Sequence, residues 1–311
     1  MQRLHEFRLF YNHTIHPELL RIERKRKRLL LLLFLSIIFL IGLTILDIYV
    51  DILVVTLCFL GFLGFYIAFI LYGIREFVIT FKPKIVNLIL DFIDNEVNYG
   101  TLSYYPKRKI SKATFLSSCL FETPATFYKG EDFIQGSYRE MTFELCELNV
   151  REFSRVRNRT NYIFKGVFLQ GKFNSKAHPS KGKILILPRE YSQYQSRTIK
   201  AFNRDNGKNA EDYVRRSFKK AFIVMANRQA NLKKILSDEM QNAILNYRAK
   251  TQKEIYVSFI GSKIFIAVTE PKDLLEPFIF QTNVSFELVR EFFEDLQLLF
   301  SVLEDLDVNI D

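Results

Sequence analysis

The stretch Gly166-Val-Phe-Leu-Gln-Gly171-Lys172 satisfies GxxxxGK, the first part of a phosphate-cradling loop. The complete device also needs Ser or Thr after the lysine, to hold magnesium, and a helix whose N-terminus faces the phosphates. Here Phe173 follows, then "NSKAHPSKGK", a run without helical pattern, while the interior "VFLQ" continues a strand. A strand and turn is the expected structure, not a nucleotide site. His13 and His16 lie three apart and could share a helical face, but no third ligand is near them in sequence; His178 stands alone between Ala177 and Pro179. Glu291, Glu294 and Asp295 could chelate a cation, yet their spacing is that of a solvated helix face. Cys58, Cys119 and Cys146 form neither a CxxC pair nor a spaced framework. One lies in an apolar region and two in strand-like runs, so all three read as buried free thiols. No catalytic residue, cofactor or metal site is assigned.

The remaining chemistry is charge. The chain carries 44 Lys and Arg against 34 Asp and Glu, a net of +10. The excess is concentrated in residues 151–234, where 21 basic residues face 5 acidic ones, whereas residues 235–311 carry 6 against 14. Within the basic stretch, "REFSRVRNRTNYIFK" offers Arg155, Arg157 and Arg159, and "YVRRSFKKAF" offers Arg215, Arg216, Lys219 and Lys220. Cations mixed with Phe and Tyr can hold a polyanion through phosphate contacts and stacking. These seven are the candidate lipid- or polyanion-binding residues, with pairing to the acidic C-terminal segment as the alternative.

The elements that would hold this surface begin with two apolar runs. Leu29–Leu46 has 18 uncharged residues, which as a helix span about 27 Å. Ile52–Gly73 has 22, about 33 Å by the same rise, and a hydrocarbon core is roughly 30 Å thick. Only "DIYVD" separates them, so a transmembrane hairpin is expected. A signal peptide would have a shorter apolar core ending in small residues. Cytoplasmic flanks are enriched in Lys and Arg. Arg24, Lys25, Arg26, Lys27 and Arg28 precede the first run, Arg75, Lys82 and Lys84 follow the second, and the loop has none. Both termini are therefore expected on the cytoplasmic side. Gly42, Gly61 and Gly64 do not make a GxxxG face and read as ordinary helix packing.

Pro17 suits a first helical position, so a helix is expected to start there and run into the membrane. After Pro83, apolar residues at Ile85, Leu88, Ile89, Phe92 and Ile93 have helical spacing. Strand-like runs follow at 113–121, 141–148, 161–169, 183–187 and 221–226. "IYVSFIGSKIFIAV" reads as a hairpin turning at Gly261-Ser262 through a type II′ turn. Helical patterning returns at 229–249 and 285–306.

Taken together, "FYKGEDFIQGSYREMTFELCEL", "FKGVFLQGKFNSK", "ILILP", "VSFIGSKIFIAVTEPKDLLEP" and "EDLQLLFSVLEDLDVNI" resemble the bacterial membrane-protein family of the domain of unknown function 3137. The likeness extends over nearly the whole chain. It departs where an acidic Glu-Ala-Arg-Tyr-like stretch is expected and "ANRQANLKKIL" stands instead. The resemblance implies a membrane topology and fold, supplies no catalytic residue, and suggests a LemA-type membrane protein as partner by association.

The expected fold is α+β. It comprises a basic N-terminal segment (1–28), a two-helix transmembrane hairpin (29–74), an amphipathic connector helix (75–98) and a mostly antiparallel cytoplasmic α+β domain (99–311). The expected function is a membrane-anchored scaffold or regulatory protein of the bacterial cytoplasmic membrane. Its domain would bind membrane lipid or an unidentified protein partner, the chain itself included as a homo-oligomer. The alternatives are an enzyme with an unrecognised site in the cytoplasmic domain or membrane-tethered nucleic-acid binding, with nucleic acid the less expected partner.

Overall fold

The computed structural model describes residues 2–50, 53–96, 102–138, 141–155, 158–173, 182–190, 193–230, 232–273 and 275–308. His178, Arg157 and Asp51 lie outside them. The chain divides into two compact units: residues up to Phe92 with Leu275–Phe293, and Ile93–Leu274 with the residues from Glu294 onward.

The first unit is helical. α1 (Gln2–Phe10) leads through a π-turn (Tyr11–Ile15) into α2 (His16–Val50), and α3 (Leu53–Glu96) returns. The chain is thus helical well before Pro17, where the sequence places the start. Proline has no N–H to give the preceding turn and its ring crowds that turn's carbonyl; the wider π-turn lies immediately before it. The helical spacing after Pro83 belongs to the second half of α3, which runs through that proline without a break.

Both helices are long and apolar enough to cross a membrane, and only 11% of the most apolar window of each is buried. Phe34, Phe62, Phe65 and Phe69 are all more than half exposed. A core helix of a water-soluble protein would bury such a face. An apolar hollow of about 610 Å³ separates the two helices beside Leu32, Phe39, Phe62 and Tyr66. A Cβ added at Gly42, Gly61 or Gly64 would meet nothing within 4 Å, so none of them marks a close helix approach; that is at Gly73, where an added Cβ would meet Leu29 at 3.0 Å.

Below the apolar runs the unit packs tightly. Phe7 stacks on Phe293 at 3.8 Å and meets Phe92 edge-on at 5.2 Å. Glu23 and Arg26 form a buried pair, Lys82 reaches Glu276 at 2.6 Å, and Lys84 pairs with Glu18.

The second unit is built on an antiparallel sheet of nine strands among the described residues. In chain order they are β1 (Ser103–Tyr105), β2 (Phe127–Tyr138), β3 (Met141–Ser154), β4 (Arg159–Phe173), β5 (Lys183–Pro188), β6 (Gly207–Asn209), β7 (Phe222–Asn227), β8 (Ile255–Ile260) and β9 (Lys263–Thr269). Their spatial order is β1-β2-β3-β4-β9-β8-β5-β7-β6. The helices are α4 (Lys112–Ser117), α5 (Gln193–Arg204), α6 (Arg216–Ala221), α7 (Leu232–Ile235), α8 (Asp238–Thr251) and α9 (Phe286–Val308), whose first third belongs to the other unit.

Period-two alternation sends side chains of one strand to opposite faces. From β3, Cys146, Leu148 and Val150 join Phe115 of α4 and Phe202 of α5 in one core. Phe143, of opposite parity, meets Phe300 of α9 at 5.2 Å. With both faces covered, central strands such as β5 read as unbroken apolar runs. The hairpin at Gly261-Ser262 forms as expected, with Gly261 at φ +60° and Ser262 outside the positive-φ region.

One expected strand is not one. Within 113–121 the chain makes α4, because the Ser111 hydroxyl accepts the Thr114 N–H at 3.1 Å and caps a helix. Cys119 follows at φ +56°, outside any strand and partly exposed, and Cys58 is exposed, so of the three thiols expected to be buried only Cys146 is.

Candidate functional site

The phosphate-loop spacing is resolved against the nucleotide reading. Gly166 through Lys172 all lie in β4, paired with β9 from Thr269 to Lys263, so the stretch is extended strand and not a phosphate-cradling loop. Gly166 is needed for a different reason: at φ +149°, a Cβ there would sit 2.0 Å from the Val268 carbonyl oxygen.

The sequence-predicted basic residues are not gathered into one patch. Arg155 and Arg159 flank the β3–β4 turn, with Arg159 donating to Asn161 at 3.1 Å. Arg215 and Arg216 open α6, and Lys219 and Lys220 close it. Two of these have local acidic partners: Arg215 pairs with Asp238 at 2.7 Å, and Lys219 with Asp212 at 3.3 Å. Arg189–Glu211 at 2.7 Å, Arg197–Glu152 at 3.0 Å, Lys165–Asp273 at 2.9 Å and Lys183–Asp205 neutralise more of the stretch. Arg216 and Lys220 are exposed and have no carboxylate partner among the described residues.

Three cations that sequence reasoning did not single out do converge. Lys208 on the edge strand β6, Arg228 just past the end of β7, and Lys233 on α7 line a cavity of about 360 Å³, with Tyr213 at its rim. All three cations are exposed and have no carboxylate partner among the described residues. Tyr213 is 62% exposed, so its ring is free to lie against a ligand.

The walls are fixed by hydrogen bonds. Asn209 Oδ1 accepts the Glu211 N–H at 2.8 Å and starts the one-turn 3₁₀ segment ending at Tyr213. The Ala210 N–H donates to the Val224 carbonyl at 2.9 Å. Asn227 Oδ1 accepts the Lys183 N–H at 2.9 Å, and the Asn227 carbonyl accepts the Ala230 N–H at 3.1 Å. At Gly182 a Cβ would lie 2.3 Å from the Ala230 nitrogen, so only glycine lets the loop pass this close. Such a hollow can take an anionic group by charge and one flat apolar surface by stacking.

A second constellation, Lys253 with Asp295 and Glu270, has the residue types of an acid–base site. Lys253 Nζ lies 2.7 and 2.8 Å from the two Asp295 oxygens and 2.6 Å from Glu270 Oε2. Burial pulls the ammonium's pKa down, but the hydrogen bonds it donates to Asp295 and Glu270 outweigh it and the net shift is upward. A nucleophilic lysine needs the opposite. This is a structural tie from β9 to α9, and it corrects the solvated-face reading of Asp295, whose side chain is only 15% exposed.

Residues 162–308 match the family described as Protein of unknown function (DUF3137), and the chain resembles that family over this stretch, a little under half its length. The match takes in every residue of the cleft. No curated protein and no solved structure matches the chain.

Proposed function

We propose that this chain is a membrane-anchored regulatory or scaffold module that holds an anion-binding domain at the cytoplasmic face of a bacterial membrane. In this reading α2 and α3 span the bilayer, both termini stay on the basic, cytoplasmic side, and the Lys208–Arg228–Lys233 cleft takes a phosphate-bearing group. The observation that carries the binding half is that three exposed cations without carboxylate partners among the described residues line one cavity, whereas Lys165, Lys183, Arg189, Arg197, Arg215 and Lys219 of the same stretch are each held by an acidic side chain. The membrane half is supported by the exposed apolar faces of two helices flanked by "RKRKR" and Arg75.

The ligand's source is either a lipid headgroup or a free phosphate compound, and the two can be separated. Full-length protein in zwitterionic nanodiscs is titrated with pyrophosphate, and separately compared in nanodiscs containing phosphatidylglycerol, reading hydrogen exchange over residues 207–213 and 226–233. Protection by pyrophosphate points to a soluble ligand, and protection only with the anionic lipid points to headgroups. Each cation near an anionic surface contributes about 1 kcal/mol, so K208A/R228A/K233A should weaken binding about a hundredfold. No protection in either arm, or unchanged affinity in the triple variant, refutes the reading.

A further inference from the structure

Within the helical unit, the segment "EPFIFQTN" places Ile279 against Leu29, Leu30, Ile74 and Phe77. Leu29 is the first residue of the first apolar run, and Ile74 directly follows Gly73, the last of the second. Ile279 therefore sits at the level where the apolar runs begin. Its neighbours point away from the helices: Phe278 is 48% exposed and Phe280 82%. Consecutive Cα atoms are about 3.8 Å apart, so the Cα atoms that carry both rings lie within about that distance of Ile279.

Part of the loop backbone is satisfied internally. Asn283, 2% exposed, accepts the Phe278 N–H through Oδ1 at 2.7 Å and donates Nδ2 to the Phe278 carbonyl at 2.8 Å. The Ile279 carbonyl accepts Arg26 Nη1 at 2.5 Å, and Lys82 holds Glu276 just before the loop. Unsatisfied peptide groups disfavour placing a loop in low-polarity surroundings. At Phe278 both backbone groups already have partners, which lowers that cost at the start of the exposed pair.

We propose that Phe278 and Phe280 form an aromatic wedge seated in the headgroup–acyl boundary of the bilayer that α2 and α3 cross. The wedge makes residues 275–293 a third membrane contact, beside the headgroup-facing cations Arg24, Lys25, Lys27 and Arg28. Interfacial anchoring normally falls to Trp and Tyr, and this chain has no Trp. The inference rests on the membrane-spanning reading of α2 and α3.

The test uses the full chain, with its three cysteines replaced, reconstituted into liposomes. A single cysteine is introduced by F280C, F278C or, as a solvent reference, E122C, since Glu122 is exposed and outside the cleft, and labelled with an environment-sensitive fluorophore. The wedge predicts blue-shifted emission at 278 and 280, quenching by lipids spin-labelled near the headgroup, and little quenching by aqueous iodide, with the reverse at 122. Alkaline carbonate extraction is run on the same samples. Carbonate-resistant protein whose position-280 label is quenched by iodide as strongly as that at 122 overturns the wedge and leaves the spans standing. Extraction into the soluble fraction overturns the spans, and the wedge with them.

Discussion

Substituting Lys253→Met should leave Asp295 and Glu270 facing each other with their shared cation gone. Both carboxylates are largely enclosed, at 15% and 9% side-chain exposure, and Lys253 itself is 21% exposed. Removing one partner of a buried ion pair costs about 3–5 kcal/mol, because the remaining charge is uncompensated. The residual solvent access at Lys253 places this site near the lower end, about 3 kcal/mol. For a unit of this size, 1 kcal/mol moves the melting temperature by about 2–4 °C, so a fall of about 6–12 °C is expected. With no Trp and 15 Tyr in the chain, near-ultraviolet circular dichroism or tyrosine fluorescence of the full-length protein in detergent follows the transition. The triple variant K253M/E270Q/D295N should recover most of the loss, since neutral groups need no counter-charge. Because the Lys253 pKa is raised, the wild-type contribution is complete below 10.5 and lost only as the pH rises through the folded value. A fall below about 2 °C for K253M, or no recovery in the triple variant, would refute the assignment of this cluster as a structural tie.

Acid should loosen the helical unit through Glu23. The Arg26 hydrogen bond lowers the Glu23 pKa below 4.5 against an opposing effect of burial, so its stabilisation is present above 4.5 and lost as pH falls through the folded value. Glu23→Gln should melt lower than wild type at pH 7, and the gap should narrow below pH 4.5; a gap constant with pH contradicts this. Burial pushes the Cys146 thiol up to about 12, so Ellman's reagent at neutral pH should modify it only on unfolding, whereas partly exposed Cys119 should react in the native state. Equal rates would contradict the burial. Gly166→Ala should destabilise the sheet by about 3 kcal/mol or more, because φ +149° and the Val268 carbonyl both exclude a Cβ; a melting temperature within about 2 °C of wild type would contradict it.

The elements legible in the sequence were those whose signal is local. The apolar runs, the Gly261-Ser262 hairpin and the continuous apolar strands β5 and β7 need no distant partner to be recognised. β2 was not legible, because Gly130, Gly136 and the irregularity between Glu131 and Ile134, with Asp132 at φ +58°, break its alternation. α5 is not legible because its inner face mixes polar with apolar groups: beside Ile199 and Phe202, Gln195 donates to the Pro188 carbonyl at 2.8 Å and Thr198 accepts the Glu122 N–H at 3.0 Å. Composition located the cationic stretch but not its working part. Arg215 and Lys219 stand out as clusters and are paired, whereas Lys208, Arg228 and Lys233, spread over 26 residues, line one hollow only once β6 pairs with β7 and α7 follows it. Ile279, flanked by Phe278 and Phe280, looks like any short apolar run until the loop is seen against Leu29 and Ile74.

A membrane-spanning hairpin with both termini on one side requires α2 and α3 to keep the cleft and the turn between them on opposite sides of the bilayer. Single cysteines introduced by Y49C, where Tyr49 is 83% exposed at the end of α2, and by Y213C at the cleft test this in one experiment. Cells expressing the otherwise cysteine-free chain are treated with a membrane-impermeant maleimide, intact and after lysis. The account predicts labelling at 49 in intact cells and at 213 only after lysis. Labelling of 213 in intact cells, or of neither position until lysis, would contradict it.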